Sequence, residues 1–413
     1  MDKFDVVVVG AGPGGGHCAR LLAKGGYKVL LLERYKDFSR NSFSSAGTPN
    51  ETLTKFDLPE TIVGSWWNKL VVVTSNQQRS WESEKNQGCV LDFTKMRQFL
   101  ADEVSNHGGQ VWLGCRYIDH IERENDLLIT VRNNLLNEQV KVTSKVLVDA
   151  TGAIRAVMCR KGKEKPPLLT ATGVEYLIEV DGGIYNAHRG ALTFLLGHKW
   201  MPKGYSWVFP MEQNILKVGA GIYKGDHELI KEVEPLSYYI NLLIKEYLQA
   251  DSYKLLDIHG ETLRYSSSLQ DTYTEGRVIA IGDAVSTVNL LGGEGIRYAM
   301  ESAEIAKKFI AQFLEGKKAD FNGYQQKMHS VFLTKWNISE KLANKKYSQD
   351  TDTLVNRTFS YLDGMKLEDV VDILFYYKFE KVSRGLGAFI LRKLRQFFLR
   401  GNFKIQQPLF KKS

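Results

Sequence analysis

The first 33 residues contain two apolar runs separated by a helical repeat, and this order predicts a strand, a helix and a second strand. Residues 4–9 are almost entirely apolar and β-branched, which is typical of a parallel strand buried on both faces of its sheet. Residues 17–24 have helical spacing, and residues 28–32 form a second apolar run that ends in Glu33. The segment is therefore predicted to be a β-α-β unit.

The turn between the first strand and the helix is rich in glycine and includes Gly10, Gly12, Gly14 and Gly15. In a dinucleotide-binding turn, Gly10 allows the tight turn, Gly12 lets the backbone approach a pyrophosphate, and Gly15 lets the helix pack on the strand. The helix N-terminus offers free N–H groups to the phosphates, and Glu33 would accept hydrogen bonds from both hydroxyls of the adenosine ribose. This pattern predicts a site for FAD or NAD.

Two later segments distinguish FAD from NAD. Residues 142–152 predict a strand and a turn that close the nucleotide-binding domain, although alone they would also fit an ordinary strand and turn. Residues 277–282 predict another strand, which is followed by Asp283 and then by a helix start that contains Gly293 and Gly295. An aspartate at a strand end can accept a hydrogen bond from a ribityl hydroxyl, and such glycines let backbone N–H groups approach a flavin ring. Because NAD has no ribityl chain, the sequence predicts one extended FAD.

The segments between these motifs predict a substrate domain. Residues 53–88 and 161–260 alternate apolar and polar positions in several runs, which is typical of an antiparallel sheet that would cover the flavin. Tyr205, Trp207 and Phe209 recur at every second position, so on a strand they point to one face. That face would be either an aromatic wall of an apolar substrate cavity or an ordinary sheet core.

Composition and charge exclude several classes of protein. The chain has 413 residues, of which 43% are hydrophobic and 25% charged, as expected of a globular protein with a large core. Residues 378–413 contain ten basic residues and one acid, so they carry a charge of +9, whereas the rest of the chain carries −1. Because the body has no basic face and no DNA-reading element, we expect no nucleic-acid partner.

Motifs for metals, export and hydrolysis are missing from the sequence. The four cysteines and eight histidines lack the spacing of metal ligands or of a disulfide framework, so we expect no metal and a reduced, cytoplasmic compartment. The apolar run that begins at Phe4 is too early and too short for a signal peptide, so we expect none. The sequence also has no run of about 18 uncharged apolar residues that could span a membrane. It also lacks a nucleophile elbow and a P-loop, which argues against hydrolases and kinases.

The basic C-terminal tail has the pattern of an amphipathic helix. Its apolar positions share one side of a helical projection, whereas Arg392 and Arg395 lie on the other side; the apolar positions are Leu386, Ile390, Leu391, Leu394, Phe397 and Phe398. Such a helix would either lie in the interface of an anionic membrane or dock on the protein's own core with a solvated basic face. The first interpretation predicts peripheral membrane association.

Over about residues 4–310 the chain resembles the geranylgeranyl reductase family, which has the p-hydroxybenzoate hydroxylase-type fold. The resemblance is carried by GYSWVFP at residues 204–210, by KVGAG at residues 217–221 and by LGGEGIRYAM at residues 291–300. It implies an α/β fold with a Rossmann-like FAD-binding domain, an antiparallel-sheet substrate domain and a helical C-terminal region. The implied boundaries are 1–52, 89–160 and 261–312 for the FAD-binding domain, 53–88 and 161–260 for the substrate domain, and 313–413 for the helical region.

The resemblance also implies a set of cofactor contacts. With the glycines of the first turn and Arg34, which follows the ribose acid, the candidate FAD-binding residues are Gly10, Gly12, Gly14, Gly15, Glu33, Arg34, Ser45, Ala46, Arg97, Asp283, Gly293, Gly295 and Ile296. The substrate-binding candidates are Tyr205, Trp207 and Phe209.

The chain departs from the family pattern at two places. The family has Asp-Arg before the helix of Arg97, whereas this chain has Asp92 and Phe93, so Arg97 would have to reach the cofactor from one turn later. The family's Cys-Gly-Gly signature is replaced by SSAG at residues 44–47. Ser44, Ser45 and water are the alternative proton donors, and no catalytic residue is assigned.

The resemblance implies an FAD-dependent oxidoreductase that reduces carbon–carbon double bonds of a polyisoprenoid, geranylgeranyl-type lipid by hydride transfer from N5 of the reduced flavin. The chain has no second glycine motif for a nicotinamide, so an external electron donor such as NADPH or ferredoxin is expected. The alternatives are a flavin-dependent monooxygenase, a halogenase with Lys69 as its lysine, and a flavin electron carrier without enzymatic activity. A buried cavity above the flavin would argue against the carrier.

Overall fold

Strands from distant parts of the chain are interleaved in this fold. The computed structural model describes residues 1–39, 44–160, 167–224, 233–348 and 352–381. In this part of the chain the strands are β1 (Lys3–Val9), β2 (Val29–Leu32), β3 (Gly47–Pro49), β4 (Val63–Trp67), β5 (Lys69–Val73), β6 (Gln78–Glu82), β7 (Gly88–Leu91), β8 (Gln110–Trp112), β9 (Cys115–Glu122), β10 (Leu127–Asn133), β11 (Glu138–Asp149), β12 (Leu168–Glu179), β13 (Ala191–Gly197), β14 (Met201–Pro210), β15 (Ile215–Lys224), β16 (Lys254–Ser266), β17 (Thr274–Glu275) and β18 (Val278–Ala280).

The helices lie between these strands and after the last of them. They are α1 (Pro13–Lys24), α2 (Glu51–Lys55), α3 (Phe93–Asn106), α4 (Gly182–His188), α5 (Leu236–Leu242), α6 (Ile296–Leu314), α7 (Tyr324–Ser348), α8 (Asp352–Ser360) and α9 (Leu367–Leu374). A π-helical turn, Leu243–Tyr247, continues α5. The predicted tail helix, with Leu386, Ile390 and Arg392 among its residues, falls outside the described part of the chain.

The first large sheet is built around β1, which is buried on both faces as its composition predicts. Val6, Val7 and Val8 have no exposed surface, and β1 pairs in parallel with β2 on one side and with β11 on the other. The central strand order is β17-β18-β11-β1-β2-β8, and β9 and β10 extend the sheet from β11 as antiparallel strands. The carboxyl ends of β1, β2, β11 and β18 therefore lie along one edge.

Glycines in α1 allow close packing of helices on this sheet. A Cβ atom on Gly14 would lie 3.1 Å from the Ala299 carbonyl oxygen of α6, and one on Gly16 would lie 2.9 Å from the Leu100 Cβ of α3. Because neither position has a side chain, α6 and α3 can both approach the backbone of α1. This packing brings the start of α6, far along the chain, next to the first turn of α1.

The second large sheet has the strand order β16-β12-β15-β14-β13-β5-β6. Its pairs are antiparallel except β13 with β5, which pair in parallel. One face packs on α5 and the π-helical turn through residues that include Ile240, Leu243 and Val218. The other face packs on α8 and α9 at the β5–β6 end, through residues that include Val355 and Val370, and remains open toward the first sheet over β14, β15 and β12.

A small three-stranded sheet, β3-β7-β4, fills the space beside α3 and the first turns of α6. Its core includes Cys89, Met96 and Met300. The predicted α/β class, with a parallel Rossmann-like sheet, a largely antiparallel second sheet and a helical C-terminal region, is confirmed. The parallel β13–β5 pair was not predicted, because the 53–88 and 161–260 segments each show only period-two alternation, which is silent on strand direction.

Candidate active site

A cavity of about 520 Å³ lies between the two large sheets. It is bounded by the β1–α1 turn, by the start of α6, and by the face of the second sheet formed by β14, β15, β12 and β16. Twelve of the thirteen predicted cofactor residues line it: Gly10, Gly12, Gly14, Gly15, Glu33, Arg34, Ser45, Arg97, Asp283, Gly293, Gly295 and Ile296. Residues from four separate stretches of sequence (10–34, 45, 97 and 283–296) thus meet at one site.

The three glycines of the nucleotide-binding pattern have distinct surroundings. Gly10 has a φ of +104°, and a Cβ atom there would lie 2.4 Å from the Ala150 carbonyl oxygen. A Cβ atom on Gly15 would lie 1.9 Å from the Gly10 carbonyl oxygen. Gly12, the residue before α1, has no protein atom within 4 Å of its Cβ position, so a phosphate can approach its backbone from the cavity.

Glu33 and Arg97 form a buried ion pair beside this turn. The Arg97 Nη2 donates to Glu33 Oε2 at 2.9 Å, and the Arg97 Nε donates to the Ala11 carbonyl oxygen at 3.1 Å. The backbone N–H groups of Ala11 and Tyr35 also donate to the Glu33 carboxylate. Arg97 therefore reaches the turn from one helical turn after Asp92, which caps α3. A carboxylate has about four acceptor positions, so a ribose hydroxyl would share Glu33 with these donors of the described residues.

The second glycine-rich segment also borders the cavity, through Gly293 and Gly295. Gly293 has a φ of +67°, which favours glycine, and a Cβ atom there would lie 2.9 Å from the Tyr205 hydroxyl. Two tyrosines hold this loop, because the Tyr205 hydroxyl donates to the Gly292 carbonyl oxygen and the Tyr347 hydroxyl to the Leu291 carbonyl oxygen, each at 2.9 Å. Burial raises the pKa of Asp283, which lies beside the loop and lines the cavity.

The aromatic residues predicted for the substrate side divide into two groups. Tyr205 and Trp207 line the cavity, whereas Phe209 does not. Phe209 shares their face of β14 but is buried one step further along, in edge-to-face contact with Phe194 at 5.3 Å between ring centroids. Ala46, with a φ of +54°, is likewise buried outside the cavity lining.

Sequence reasoning missed a buried amine beneath the serine segment. The Lys217 Nζ donates to the carbonyl oxygens of Ser44 at 2.8 Å, Leu91 at 3.3 Å and Ser45 at 3.4 Å. Burial lowers the pKa of Lys217, while the negative charges of Glu175 and Asp92 oppose that shift. Lys217 interrupts an otherwise apolar and glycine-rich run at residues 215–222, and this interruption is the signal that could have drawn attention to it.

Lys69, considered as a halogenase lysine, lies at the surface. Its side chain is 37% exposed and pairs with Glu82 of the neighbouring strand at 3.4 Å. It is not among the residues that line the cavity.

The residues of the cavity fit FAD. The backbone at Gly12 is open to a pyrophosphate at a helix N-terminus, the Glu33 carboxylate lies beside it, and Gly293 and Gly295 line the same space. These features also agree with a comparison of the chain with known protein families. A family model described as "FAD binding domain" matches residues 3–332, and the chain belongs to this family. It is an FAD-dependent oxidoreductase.

The chain is also similar to individual proteins with more specific names. A protein of Haloferax volcanii named digeranylgeranylglycerophospholipid reductase is 27% identical over 414 residues, which cover 92% of this chain and 97% of that protein. A crystal structure of a geranylgeranyl bacteriochlorophyll reductase-like protein from Thermoplasma acidophilum superposes with a TM-score of 0.80 at 21% identity, covering 94% of this chain and 96% of that one. The resemblance to geranylgeranyl reductases that the sequence predicts is confirmed by these relatives.

The same fold also occurs in a monooxygenase. The p-nitrophenol 4-monooxygenase of Pseudomonas putida superposes with a TM-score of 0.72 at 16% identity, covering 92% of this chain and 99% of that one.

Across the described residues, no helix combines the length and the apolar character needed to cross a bilayer.

Proposed function

We propose that this protein saturates carbon–carbon double bonds in the isoprenoid chains of a glycerophospholipid, with FAD as its hydride-carrying cofactor. The observation that carries the proposal is that one cavity is lined both by candidate FAD-binding residues and by the aromatic side chains of Tyr205 and Trp207. The relatives' names point to the same substrate class. We further propose that residues 1–52, 89–160 and 261–312 bind FAD and that residues 53–88 and 161–260 bind the substrate.

The bound cofactor would supply a hydride from its reduced N5 to one carbon of the double bond. The chain's own residues have three tasks in this scheme. Tyr205 and Trp207 orient the apolar chain and exclude water from it. The Ser44 or Ser45 hydroxyl, or a water molecule held by them, delivers a proton to the second carbon, and Lys217 fixes the backbone of this segment through its carbonyl oxygens.

The electrons would come from an external donor such as NADPH or ferredoxin, because the chain has no second glycine motif for a nicotinamide. The basic residues after position 377 would hold the protein at an anionic membrane surface, where its lipid substrate resides, and would leave the enzyme peripheral to the cytoplasmic face.

An anaerobic reoxidation experiment tests the reaction. The purified holoprotein is reduced with dithionite and mixed with a geranylgeranyl glycerophospholipid, and flavin absorbance and product mass are followed together. We expect reoxidation of the flavin with a gain of two hydrogens for each double bond reduced. A saturated lipid of the same headgroup is the control and should leave the flavin reduced.

The opposite result has a definite meaning. If the flavin stays reduced with the unsaturated lipid and reoxidises only when oxygen is admitted, the reductase function is wrong. Oxygen-dependent transfer of hydroxyl or halide to an aromatic substrate would then be the function to test.

A further inference from the structure

A buried carboxylate lies beneath the aromatic wall of the cavity and has no role in the chemistry proposed above. The Glu175 side chain is fully buried, and its Oε2 accepts a hydrogen bond from the Trp207 Nε1 at 2.7 Å. Its other oxygen lies 3.3 Å from the His259 Nε2. The second ring nitrogen of His259 lies 3.1 Å from Asp257, whose carboxylate is half-exposed. The cluster thus extends from the cavity wall to the protein surface.

These residues form one row across four strands of the second sheet. Trp207 on β14 is opposite Gly219 on β15, Gly219 is opposite Glu175 on β12, and Glu175 is opposite His259 on β16. Adjacent strands are about 4.8 Å apart, so the backbones of Trp207 and Glu175 are separated by roughly 10 Å. The indole has to lie across β15 for its N–H to reach the carboxylate.

Glycines provide the space for the indole to lie flat. A Cβ atom on Gly219 would lie 2.2 Å from the Trp207 Cζ2, and Cβ atoms on Gly221 and Gly173 would lie 3.5 and 3.6 Å from other ring atoms. The six-membered ring therefore covers a patch of bare backbone on β15 and β12. This position makes Trp207 the floor of the cavity rather than a side chain that projects into it.

A buried carboxylate is costly unless cations and hydrogen bonds compensate for it. His259 and Lys217 are the compensating groups. Burial lowers the pKa of His259 and is the largest single influence on it, but hydrogen bonds and the charges of Glu175 and Asp257 together raise that pKa above its usual value. The charge of Glu175 likewise favours the protonated amine of Lys217. Lys217 lies two residues before Gly219 on β15, so it is on the same face of the sheet as Glu175.

We propose that Glu175, held by His259, is a positioning residue that keeps the Trp207 indole flat and thereby sets the depth of the cavity and the length of isoprenoid chain that fits. The proposal rests on the proposed function, since it concerns the seat of that lipid chain. Without the hydrogen bond, Trp207 gains other rotamers that raise the indole from the sheet into the space above the glycines. A shallower cavity would still admit short chains and would exclude long ones.

The test compares Glu175→Leu with the conservative Glu175→Gln, which keeps an acceptor for the indole N–H. Reduction of a geranylgeranyl lipid and of its shorter geranyl analogue is measured in each holoenzyme. For Glu175→Leu we expect KM for the geranylgeranyl lipid to rise about tenfold or more. We expect kcat to change about twofold or less, and KM for the geranyl analogue likewise. Glu175→Gln should stay within about threefold of the wild type for both lipids.

Two further variants separate positioning from loss of fold. Glu175→Leu combined with His259→Leu removes the carboxylate together with its imidazole partner, so it serves if the single variant does not fold. In a Trp207→Phe background, Glu175→Leu should add no chain-length effect. The proposal is overturned if Glu175→Leu raises KM for both lipids by the same factor. It is also overturned if Glu175→Leu still discriminates between the two lipids in the Trp207→Phe background.

A substrate-free readout distinguishes this proposal from the proposed function. The emission of Trp207 is obtained as the difference between the wild type and Trp207→Phe, and the same difference is taken in the Glu175→Leu background. We expect Trp207 emission to change in wavelength or intensity when Glu175 is leucine and to be nearly unchanged when it is glutamine. If neither lipid is reduced by the wild type but the emission changes, the proposed function fails and the positioning role stands; unchanged emission refutes the positioning role.

Discussion

Gly12 and Gly15 belong to one sequence motif but serve different physical purposes. Substitution of Gly15 by alanine forces a Cβ atom to within 1.9 Å of the Gly10 carbonyl oxygen, so Gly15→Ala should lose about 1–3 kcal/mol of unfolding free energy even without FAD. Gly12→Ala meets no protein atom, and the FAD-free protein should stay within about 0.5 kcal/mol of the wild type. The measurement is urea unfolding of both variants without cofactor.

Gly12→Ala is expected to change FAD affinity rather than stability. Gly12→Ala places a methyl group where the structure leaves room for a pyrophosphate, so FAD affinity should fall about tenfold or more, which is about 1.4 kcal/mol. Titration of the FAD-free protein with FAD, followed by flavin fluorescence, measures this loss. A Gly12→Ala protein with normal FAD affinity would show that the pyrophosphate lies elsewhere.

At the residue scale, the motif residues predicted to hold the cofactor lie around one cavity. Turn glycines and a strand-end acid can be recognised in the sequence because they depend on local geometry that spacing reveals. Arg97 reached the turn despite the altered residues before its helix, since a residue one turn along a helix faces the same side. The row of Trp207, Glu175 and His259 was not predicted. Its members are brought together by strand register, which joins residues up to 84 positions apart and leaves no local pattern.

At the scale of elements, the start of α6 is braced by the segment that follows α9. The Arg297 guanidinium donates to the Glu294 carboxylate, with Nη2 at 2.9 Å, and to the Phe375 carbonyl oxygen at 2.6 Å. The guanidinium also lies over the rings of Tyr298 and Tyr376. The glycine loop at the cavity is thereby tied to the helical C-terminal region.

Removal of one member of this pair should cost more than removal of both. Glu294→Leu leaves the Arg297 charge buried without its carboxylate, and we expect a loss of about 3–5 kcal/mol in urea unfolding. Glu294→Leu combined with Arg297→Met leaves no uncompensated charge and should recover part of that loss. If the double variant is less stable than the single one, Arg297 stabilises the fold by contacts other than its ion pair with Glu294.

The order of strands and helices was predictable where periodicity was strong. The β1–α1–β2 unit and α6 lie where the apolar patterns placed them, although α1 starts earlier, at Pro13, because proline fits the first turn of a helix. Sheet order was not predictable, since β5 and β13 are separated by more than a hundred residues and pair in parallel. In the structure, α8 and α9 pack on one face of this strand pair.

For the whole molecule, the uneven distribution of charge is the property with a direct test. The full chain with Arg392, Lys393 and Arg395 changed to glutamate should lose cosedimentation with vesicles that contain anionic lipid, since each basic residue near such a surface contributes about 1 kcal/mol. A matched control changes the exposed Lys24, Lys85 and Lys141 of the body to glutamate and should retain binding. Equal loss in both proteins would indicate a general charge effect rather than anchoring by the tail.

The interleaved order of the strands also has a consequence for synthesis. The turn of residues 10–15 leaves the ribosome early, but the neighbours that complete its cavity, the loop at Gly293 and Ala299 of α6, are made almost 290 residues later. At 5–20 residues per second, the delay is roughly 15 to 60 s. During that interval the nascent chain cannot hold FAD in the complete site, so loading of the cofactor is necessarily a late event in the biogenesis of this protein.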